Sequence, residues 1–239
     1  MKRLDVLAVA AHPDDVELTC GGTLIKMVDA GYRVGVLDLT AGEMGTRGGA
    51  ELRAGEAEEA AVIMGLAHRG NLELPDGGLE DTQANRLTIA RGIRRLGPKV
   101  LILPNEQSRH PDHALTVRMT HGAAFLAGLK KIEGQGKVAR PEKIIYCLAY
   151  IEHGPKPSFV VDITDQFERK LQAIACYRSQ FDGKIEAGEL FPNTQPLLEL
   201  VRTHCLHYGS LIRTKYGEPF YVRETLAVDD LVSMGVKSI

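Results

Sequence analysis

The sequence lacks several features that define common protein classes. No apolar run approaches the ~20 residues that a membrane-spanning helix needs, and the first residues show no secretory signal pattern. Its four cysteines form no close Cys-x-x-Cys pair: Cys20, Cys147, Cys176 and Cys205. Thiols in this arrangement are usually reduced and buried, which is typical of cytosolic proteins. We therefore expect a cytoplasmic protein with no membrane partner.

A strong charge of either sign is also missing. The formal net charge is −2 over 239 residues, and the charged residues are interspersed, so we expect no nucleic-acid partner. No Gly-x-Gly-x-x-Gly follows the first predicted strand, and no phosphate-loop signature occurs. These two absences argue against a dinucleotide-dependent dehydrogenase and a P-loop enzyme. The hydrophobic fraction of 44% excludes a disordered chain.

The chain alternates between buried-strand patterns and amphipathic segments. Strands are predicted over 4–10, 33–40, 69–74, 99–104, 144–150 and 158–163, and helices over 16–30, 50–65, 85–96, 114–131, 165–177 and 197–212. Strands that alternate with helices of ~10–15 residues indicate βαβ units with right-handed crossovers. We therefore predict a single α/β domain over residues 1–239, built on a mostly parallel sheet.

Two polar clusters follow two of these strands. Ala-His-Pro-Asp-Asp occupies 11–15 and His-Pro-Asp-His occupies 110–113. Either cluster alone has an ordinary explanation, because Asp14 or Asp15 could cap a helix and loop histidines are common. The occurrence of both after buried strands favours a functional site, since open α/β sheets bind ligands at the carboxyl ends of their strands. The same sheet edge is predicted to gather His12, Asp14, Asp15, Arg53, Asn71, Asp76, His110, Asp112 and His113.

Two imidazoles and one carboxylate are the ligand set of many catalytic zinc sites. We predict that His12, Asp15 and His113 provide this set. The same trio also suits a non-haem Fe(II) oxygenase. The neighbouring acid–base groups favour hydrolysis of an amide, because an oxygenase takes its reactivity from iron and O₂. A non-catalytic module that stores metal or binds a partner is a further alternative.

Three further residues have predicted catalytic roles. Asp14 is not needed as a ligand and can accept a proton from water. His110 can act as general acid or support a tetrahedral oxyanion. Asp112 is expected to bind His110 through a carboxylate–imidazole hydrogen bond, which would raise the pKa of His110 and fix its tautomer.

The two clusters resemble those of the LmbE-like (PIG-L) N-acetylglucosaminyl deacetylases. The resemblance continues through Asp-Leu-Thr at 38–40, Glu-Leu-Arg at 51–53, Gly-Asn-Leu at 70–72, Pro-Asp-Gly-Gly-Leu at 75–79 and Tyr-Arg-Ser-Gln-Phe at 177–181, and so covers roughly 3–181. It implies a Rossmann-like fold with helices on both faces of the sheet. It also implies Zn²⁺, or alternatively Fe²⁺, on His12, Asp15 and His113. Asp14 becomes the general base, and His110, backed by Asp112, the acid or oxyanion support.

Within this family the sequence looks most like the bacillithiol-pathway enzymes, which deacetylate N-acetylglucosaminyl-malate. The alternative substrates are another N-acetyl amino sugar, such as a chitooligosaccharide, or a thiol conjugate. Arg53 matches a family arginine that faces the substrate. Its cation lies in the first turn of a predicted helix, where the helix dipole disfavours it, so we expect it to bind the malate carboxylates. Asn71 and Asp76 are further predicted substrate-binding residues.

The resemblance also implies a homo-oligomer, since several relatives form hexamers. One residue departs from the family pattern. Some relatives place a mobile tyrosine near the position of Leu197, where it binds the oxyanion. The candidates to replace it are Tyr208, Tyr216 and Tyr221, and the alternative is that His110 acts alone.

Overall fold

The apolar run near the N-terminus forms strand β1 (Val6–Ala10), and all five of its residues are buried. A strand that is buried on both faces lies inside a sheet that has helices packed on either side. The computed structural model describes residues 2–132, 136–148, 154–181 and 197–236. In these residues β1 is the third strand of a seven-stranded sheet.

The sheet has the order β3-β2-β1-β4-β5-β7-β6. Its other strands are β2 (Val34–Thr40), β3 (His68–Leu74), β4 (Val100–Leu103), β5 (Lys143–Cys147), β6 (Phe159–Asp162) and β7 (Gly217–Tyr221). The helices are α1 (Asp15–Thr19), α2 (Gly21–Asp29), α3 (Ala50–Met64), α4 (Gln83–Leu96), α5 (Pro111–Ala127), α6 (Phe167–Ala175), α7 (Arg178–Phe181) and α8 (Leu197–Leu211). Strands β1 to β5 pair in parallel, whereas β7 is antiparallel to both of its neighbours. The predicted α/β fold with a mostly parallel sheet is confirmed.

The side chains of β1 contribute to two hydrophobic cores, one on each face of the sheet. Leu7 and Val9 belong to a core that includes residues of α4 and α5. Val6 and Ala8 belong to a second core with residues of α1, α2, α3 and α6. Helices therefore cover both faces, as expected. No helix of the described segments is long and apolar enough to cross a membrane.

The predicted helix over 16–30 is wrong in one respect, because it is divided into α1 and α2 at Cys20. The break exposes backbone N–H groups at the start of α2, and a buried carboxylate accepts them. Glu218 Oε1 lies 2.9 Å from the amide nitrogen of Gly22, and Oε2 lies 2.7 Å from that of Thr23. A Cβ at Gly22 would lie 2.7 Å from Ile163 Cδ1, so only glycine allows this close packing.

Strand β7 was not predicted from the sequence. Its residues, Gly-Glu-Pro-Phe-Tyr, include a proline that cannot donate to a sheet and a glutamate that would ordinarily face solvent. In the fold, Glu218 is buried because it caps α2 and pairs with Lys170.

The last two positions of the strand predicted over 144–150 lie outside the described residues.

The helix predicted from residue 114 begins earlier, at Pro111, and ends at Ala127. His110 is its N-cap, and its side chain accepts a hydrogen bond from the backbone N–H of Asp112. Proline at the first helical position is favourable, because that position needs no backbone donor. The second polar cluster is therefore the rigid first turn of α5 rather than a loop.

Candidate active site

The carboxyl ends of β1 and β4 lie side by side, since the two strands pair in parallel from Val6 with Val100 to Ala8 with Ile102. The first polar cluster follows the end of β1 directly, and the second follows β4 after a loop over 104–109. Contacts at this edge of the sheet involve eight of the nine predicted residues. Six of them are connected with one another: His12, Asp15, Asp76, His110, Asp112 and His113. The other two, Asp14 and Arg53, form an ion pair.

Asn71, the ninth predicted residue, has its side-chain contacts with the backbone. Its Nδ2 donates to the carbonyl of Thr40 at 2.5 Å, and its Oδ1 accepts from the backbone N–H of Glu73 at 2.7 Å. Glu73 has φ 53°, a left-handed conformation that the second hydrogen bond helps to hold. These contacts fix the carboxyl ends of β2 and β3, and its role in substrate binding stays a prediction.

Asp15 joins the two clusters. One of its carboxylate oxygens, Oδ1, lies 3.1 Å from His113 Nε2, and the other, Oδ2, lies 3.4 Å from His12 Nδ1. Oδ2 also accepts the backbone N–H of His12 at 2.9 Å. One ligand atom from each of these three residues lies within 4.8 Å of the others. The three side chains can therefore converge on one cation.

His12 also faces carboxylates on its other side. Its Nε2 lies 3.0 Å from Asp76 Oδ1 and 3.4 Å from Asp112 Oδ2. Burial lowers the pKa of His12, but the hydrogen bonds with Asp15 and Asp76 outweigh burial and raise that pKa to about 11. The hydrogen bond with His12 in turn lowers the pKa of Asp76 to about 2. This pocket therefore stabilises positive charge.

A second group of donors shares His12. This group consists of His12, His110 and Asp112. Each offers one ligand atom, and these three atoms also lie within 4.8 Å of one another. Asp112 has another partner, because its Oδ2 accepts the backbone N–H of Gly77 at 2.9 Å. His110 uses Nδ1 to accept the N–H of Asp112 at 3.2 Å. Asp15, by contrast, places one oxygen toward each imidazole, which is why we favour the first group as the metal ligands.

Asp14 has a strained backbone and a buried side chain. Its φ of 108° is uncommon for any residue with a Cβ, and such conformations cluster at functional sites. Its Oδ2 accepts a hydrogen bond from Arg53 Nη2 at 3.0 Å. Burial raises the pKa of Asp14 to about 7, against the opposing effect of Arg53. This carboxylate, next to Asp15 in the chain, is therefore held in place by Arg53.

Arg53 is 5% exposed, and both Nη nitrogens of its guanidinium donate to protein acceptors. Besides Asp14, it donates to the carbonyl of Pro13 at 2.7 Å and to that of Gly42 at 3.1 Å. Gly42 has φ +67°, and a Cβ there would lie 2.1 Å from Arg53 Nη1, so glycine is needed for this close approach. Arg53 therefore connects the first polar cluster to the Gly-rich loop after β2.

His110 and Asp112 interact, but not as expected. The backbone of Asp112, rather than its carboxylate, donates to His110 Nδ1, while the carboxylate faces His12 and Gly77. The predicted rise in the pKa of His110 is wrong, because burial lowers it, and the neighbouring His113 and His12 lower it further. Burial therefore favours the neutral form of His110.

Comparisons with known proteins identify the family of this chain. The family model described as "GlcNAc-PI de-N-acetylase", PIG-L, matches residues 7–124. A diacetylchitobiose deacetylase of Thermococcus kodakarensis is 33% identical over 225 residues, which are 89% of this chain and 80% of the relative. The chain belongs to the PIG-L family of de-N-acetylases.

Two further relatives extend the comparison. The structure of a conserved protein from Thermus thermophilus, TT1542, is 41% identical, with a TM-score of 0.84 over 94% of this chain and 97% of that one. A probable N-acetyl-alpha-D-glucosaminyl L-malate deacetylase 2 of Bacillus cereus is 27% identical over 200 residues, which are 76% of this chain and 86% of the relative.

Sequence reasoning missed residues that hold the candidate site in place. The carboxylate of Glu43 accepts the backbone N–H of Asp76 at 2.8 Å, and the backbone N–H of Met44 donates to Asp76 Oδ2 at 2.9 Å. The Gly-rich composition of residues 41–49 was the available signal. Ser108 was also missed: its Oγ lies 3.1 Å from His113 Nδ1. No pattern in the sequence separates this serine from an ordinary loop residue.

A buried charged network lies behind α1. Arg69 of β3 donates to both carboxylate oxygens of Asp38 at 3.0 and 3.2 Å, and also pairs with Glu17. The hydroxyl of Tyr177 donates to Glu17 at 3.1 Å. Burial raises the pKa of Asp38 to about 6, although Arg69 opposes this. Two segments quoted for the family resemblance, at 38–40 and 177–181, therefore meet at the helix that carries Asp15.

The three candidate tyrosines have partners of their own. The Tyr216 hydroxyl accepts from Arg202 at 2.7 Å, and its ring stacks on Phe167 at 3.7 Å. Tyr221 stacks on Tyr146 at 4.6 Å, and Tyr208 packs edge-on against histidines of α8. These contacts favour His110 as the oxyanion group.

Proposed function

We propose that the protein is a metal-dependent hydrolase that removes the acetyl group from an N-acetylglucosamine derivative, releasing acetate and a free amine. One observation carries the proposal: His12, Asp15 and His113 converge at the carboxyl edge of the sheet with Asp14 beside them, in a chain of the PIG-L family. The other contacts of the site are consistent with this chemistry.

The donor set fits a divalent cation. Two imidazoles and a carboxylate suit Zn²⁺, and the same donors also suit Fe²⁺. The carboxylates of Asp15, Asp76 and Asp112 that surround His12 support this fit, because they favour positive charge at that point. When bound, such an ion supplies a Lewis acid that polarises a carbonyl and lowers the pKa of water towards ~7.

Asp14 is the proposed general base. Its carboxylate is paired with Arg53, which leaves the ligand role to Asp15. Arg53 also donates to the carbonyl of Pro13, the residue before Asp14, so that side chain and backbone are held together. A base held in a fixed position can accept the proton of the attacking water with little reorganisation.

His110 is the proposed oxyanion group. Because its Nδ1 accepts the backbone N–H of Asp112, the neutral ring carries its proton on Nε2. A neutral imidazole of this tautomer donates one hydrogen bond from Nε2, which suits a developing oxyanion. The lowered pKa of His110 is consistent with this role rather than with that of an imidazolium acid.

N-acetylglucosaminyl-malate, of the bacillithiol pathway, is the first proposed substrate, on the strength of the sequence resemblance and of the relative from Bacillus cereus. Diacetylchitobiose is the second candidate. It is supported by the more similar relative from Thermococcus kodakarensis and by Arg53, whose guanidinium is engaged by protein acceptors rather than presented to a substrate anion. We also propose a cytoplasmic homo-oligomer, with a hexamer as the expected state in light scattering.

The deciding experiment measures free-amine release from N-acetylglucosaminyl-malate, diacetylchitobiose and N-acetylglucosamine by Zn²⁺- and Fe²⁺-loaded protein without oxygen. We expect turnover of at least one of them. Consumption of O₂ without amine release would instead favour the oxygenase. Bound metal without any turnover would favour a non-catalytic module.

Alanine at His12, Asp15 or His113 should remove the bound metal, because each substitution leaves only two of the three protein ligands. Elemental analysis of the purified variants measures the metal content. His207→Ala is the matched control, since this histidine is exposed on α8 and should leave the metal unchanged. Full metal content in His113→Ala would contradict the assignment.

Arg53→Ala should lower kcat for every substrate by a similar factor, because the guanidinium holds Asp14. The measurement is kcat and KM for the malate conjugate and for neutral diacetylchitobiose. The sequence-based expectation differs: a direct contact with the malate carboxylates would raise KM for the malate conjugate alone. That second result would restore Arg53 as an anion-binding residue.

A further inference from the structure

The loop between β4 and α5 is folded by its own hydrogen bonds. The carbonyl of Asn105 accepts the backbone N–H of Ser108 at 3.2 Å, and its side-chain Oδ1 accepts that of Gln107 at 3.2 Å. Asn105 is only 2% exposed, so the base of this turn is buried. The turn therefore presents Ser108 from a fixed position.

The hydroxyl of Ser108 meets the second polar cluster at two points. Its Oγ lies 3.1 Å from His113 Nδ1. The same oxygen accepts the backbone N–H of His110 at 3.3 Å. The opposite nitrogen of the His113 ring, Nε2, lies 3.1 Å from Asp15 Oδ1. The imidazole is therefore held between a hydroxyl on one side and a carboxylate on the other.

We propose that Ser108 is a positioning residue that fixes the ring orientation and tautomer of His113 for metal binding. This inference rests on the metal site of the proposed function. A cation bound through Nε2 requires the imidazole proton on Nδ1, where it needs an acceptor. Ser108 Oγ provides that acceptor, and it can also accept the N–H of His110 because a hydroxyl oxygen has two lone pairs.

The expected loss of metal affinity on removal of the Ser108 hydroxyl can be taken from comparable sites. Partners of metal-bound histidines contribute about 10- to 100-fold to metal affinity, because they restrict the ring and raise its basicity. Ser108→Ala removes the acceptor and leaves the Nδ1 proton of His113 without its hydroxyl partner. Ser108→Thr retains the hydroxyl and should restore most of the affinity.

The experiment compares Zn²⁺ affinity, by competition with a chromogenic chelator, in the whole protein and in Ser108→Ala, Ser108→Thr and Ser210→Ala. Ser210 is the matched control, since its exposed hydroxyl donates to the carbonyl of His207 on α8. We expect about 10- to 100-fold weaker binding in Ser108→Ala only. The visible absorption of bound Co²⁺ should also change in that variant, because its ligand geometry changes.

A purely structural hydroxyl would give another pattern. It would lower the stability of the metal-free protein and leave both the Zn²⁺ affinity and the Co²⁺ spectrum unchanged. Equal affinities in Ser108→Ala and the unaltered protein would overturn the inference while leaving the proposed function intact. Absence of metal binding by the unaltered protein would overturn the metal site itself, and the inference with it.

A measurement on the unaltered protein needs no variant to fold. In the Zn²⁺-loaded protein, ¹⁵N–¹H correlations of the His113 ring should show a proton on Nδ1 that exchanges slowly with solvent. A proton on Nε2 instead, or an Nδ1 proton that exchanges as fast as one exposed to water, would contradict the role of Ser108.

Discussion

Asp14→Asn should retain the metal and lose about 10²- to 10⁴-fold of the turnover number, which is the usual contribution of a general base. The amide has nearly the same shape and can still accept the hydrogen bond from Arg53, but it cannot accept a proton. Asparagine also tolerates positive φ better than most residues, so the φ of 108° at this position should persist. The measurement is kcat together with metal content.

The control for this substitution is Asp165→Asn, at an exposed aspartate in the turn before α6. Asp165→Asn should change neither kcat nor the metal content. A loss of turnover smaller than about tenfold in Asp14→Asn would move the base to another residue. A parallel loss of metal would make Asp14 a ligand and would require a new assignment for the trio.

The position of the site could be predicted from the sequence because it depends on local patterns. Buried strands are apolar throughout, and their carboxyl ends meet at one edge of a parallel sheet. His12 lies two residues beyond the end of β1, and His113 lies ten residues beyond the end of β4, in the first turn of the next helix, so topology places both at this edge. The pairing of individual donors inside the cluster does not follow from topology.

The hydrogen-bond partners of Arg53 and His110 could not be predicted from the sequence. The dipole argument predicted that Arg53 binds the malate carboxylates of the substrate, whereas its acceptors in the structure are Asp14 and two backbone carbonyls. The spacing of His110 and Asp112 suggested a carboxylate–imidazole bond. The N-cap geometry of α5 instead turns the backbone of Asp112 toward the ring. This N-cap arrangement was not predicted, because the helix was expected to begin at residue 114 rather than at Pro111.

The missed break in the first helix has a long-range cause. Gly22 and Glu218 are 196 residues apart in the chain, so no local pattern could reveal that a carboxylate caps α2. Strand β7 was missed for the same reason, because its glutamate is compatible with burial only when Lys170 and the start of α2 are present. Both wrong predictions therefore have the same cause, which is the contact of Glu218 with Lys170 and with the start of α2.

That interaction predicts a large effect on stability. Glu218 and Lys170 are fully buried, with Nζ 2.6 Å from Oε1, and Lys170 also donates to the carbonyl of Leu18 at 2.9 Å. Glu218→Gln leaves the ammonium without its counter-charge and directs an amide N–H₂ at one of the two helix donors. Breaking a buried pair in this way typically costs about 3–5 kcal/mol. Denaturant-induced unfolding of the metal-loaded protein measures the loss.

The pH dependence of this loss separates the charge from the packing. In the intact protein burial lowers the pKa of Lys170, but Glu218 outweighs burial and raises it. Without the carboxylate, burial is the largest remaining influence, so the pKa of Lys170 should fall below its unfolded value of ~10.4. The unfolded state then binds more protons than the folded state, and the stability of Glu218→Gln should rise with pH towards that value.

Glu59→Gln, at an exposed pair with Arg178, should leave stability nearly unchanged at every pH. A pH-independent loss in Glu218→Gln would assign the effect to the lost helix cap rather than to the unpaired ammonium.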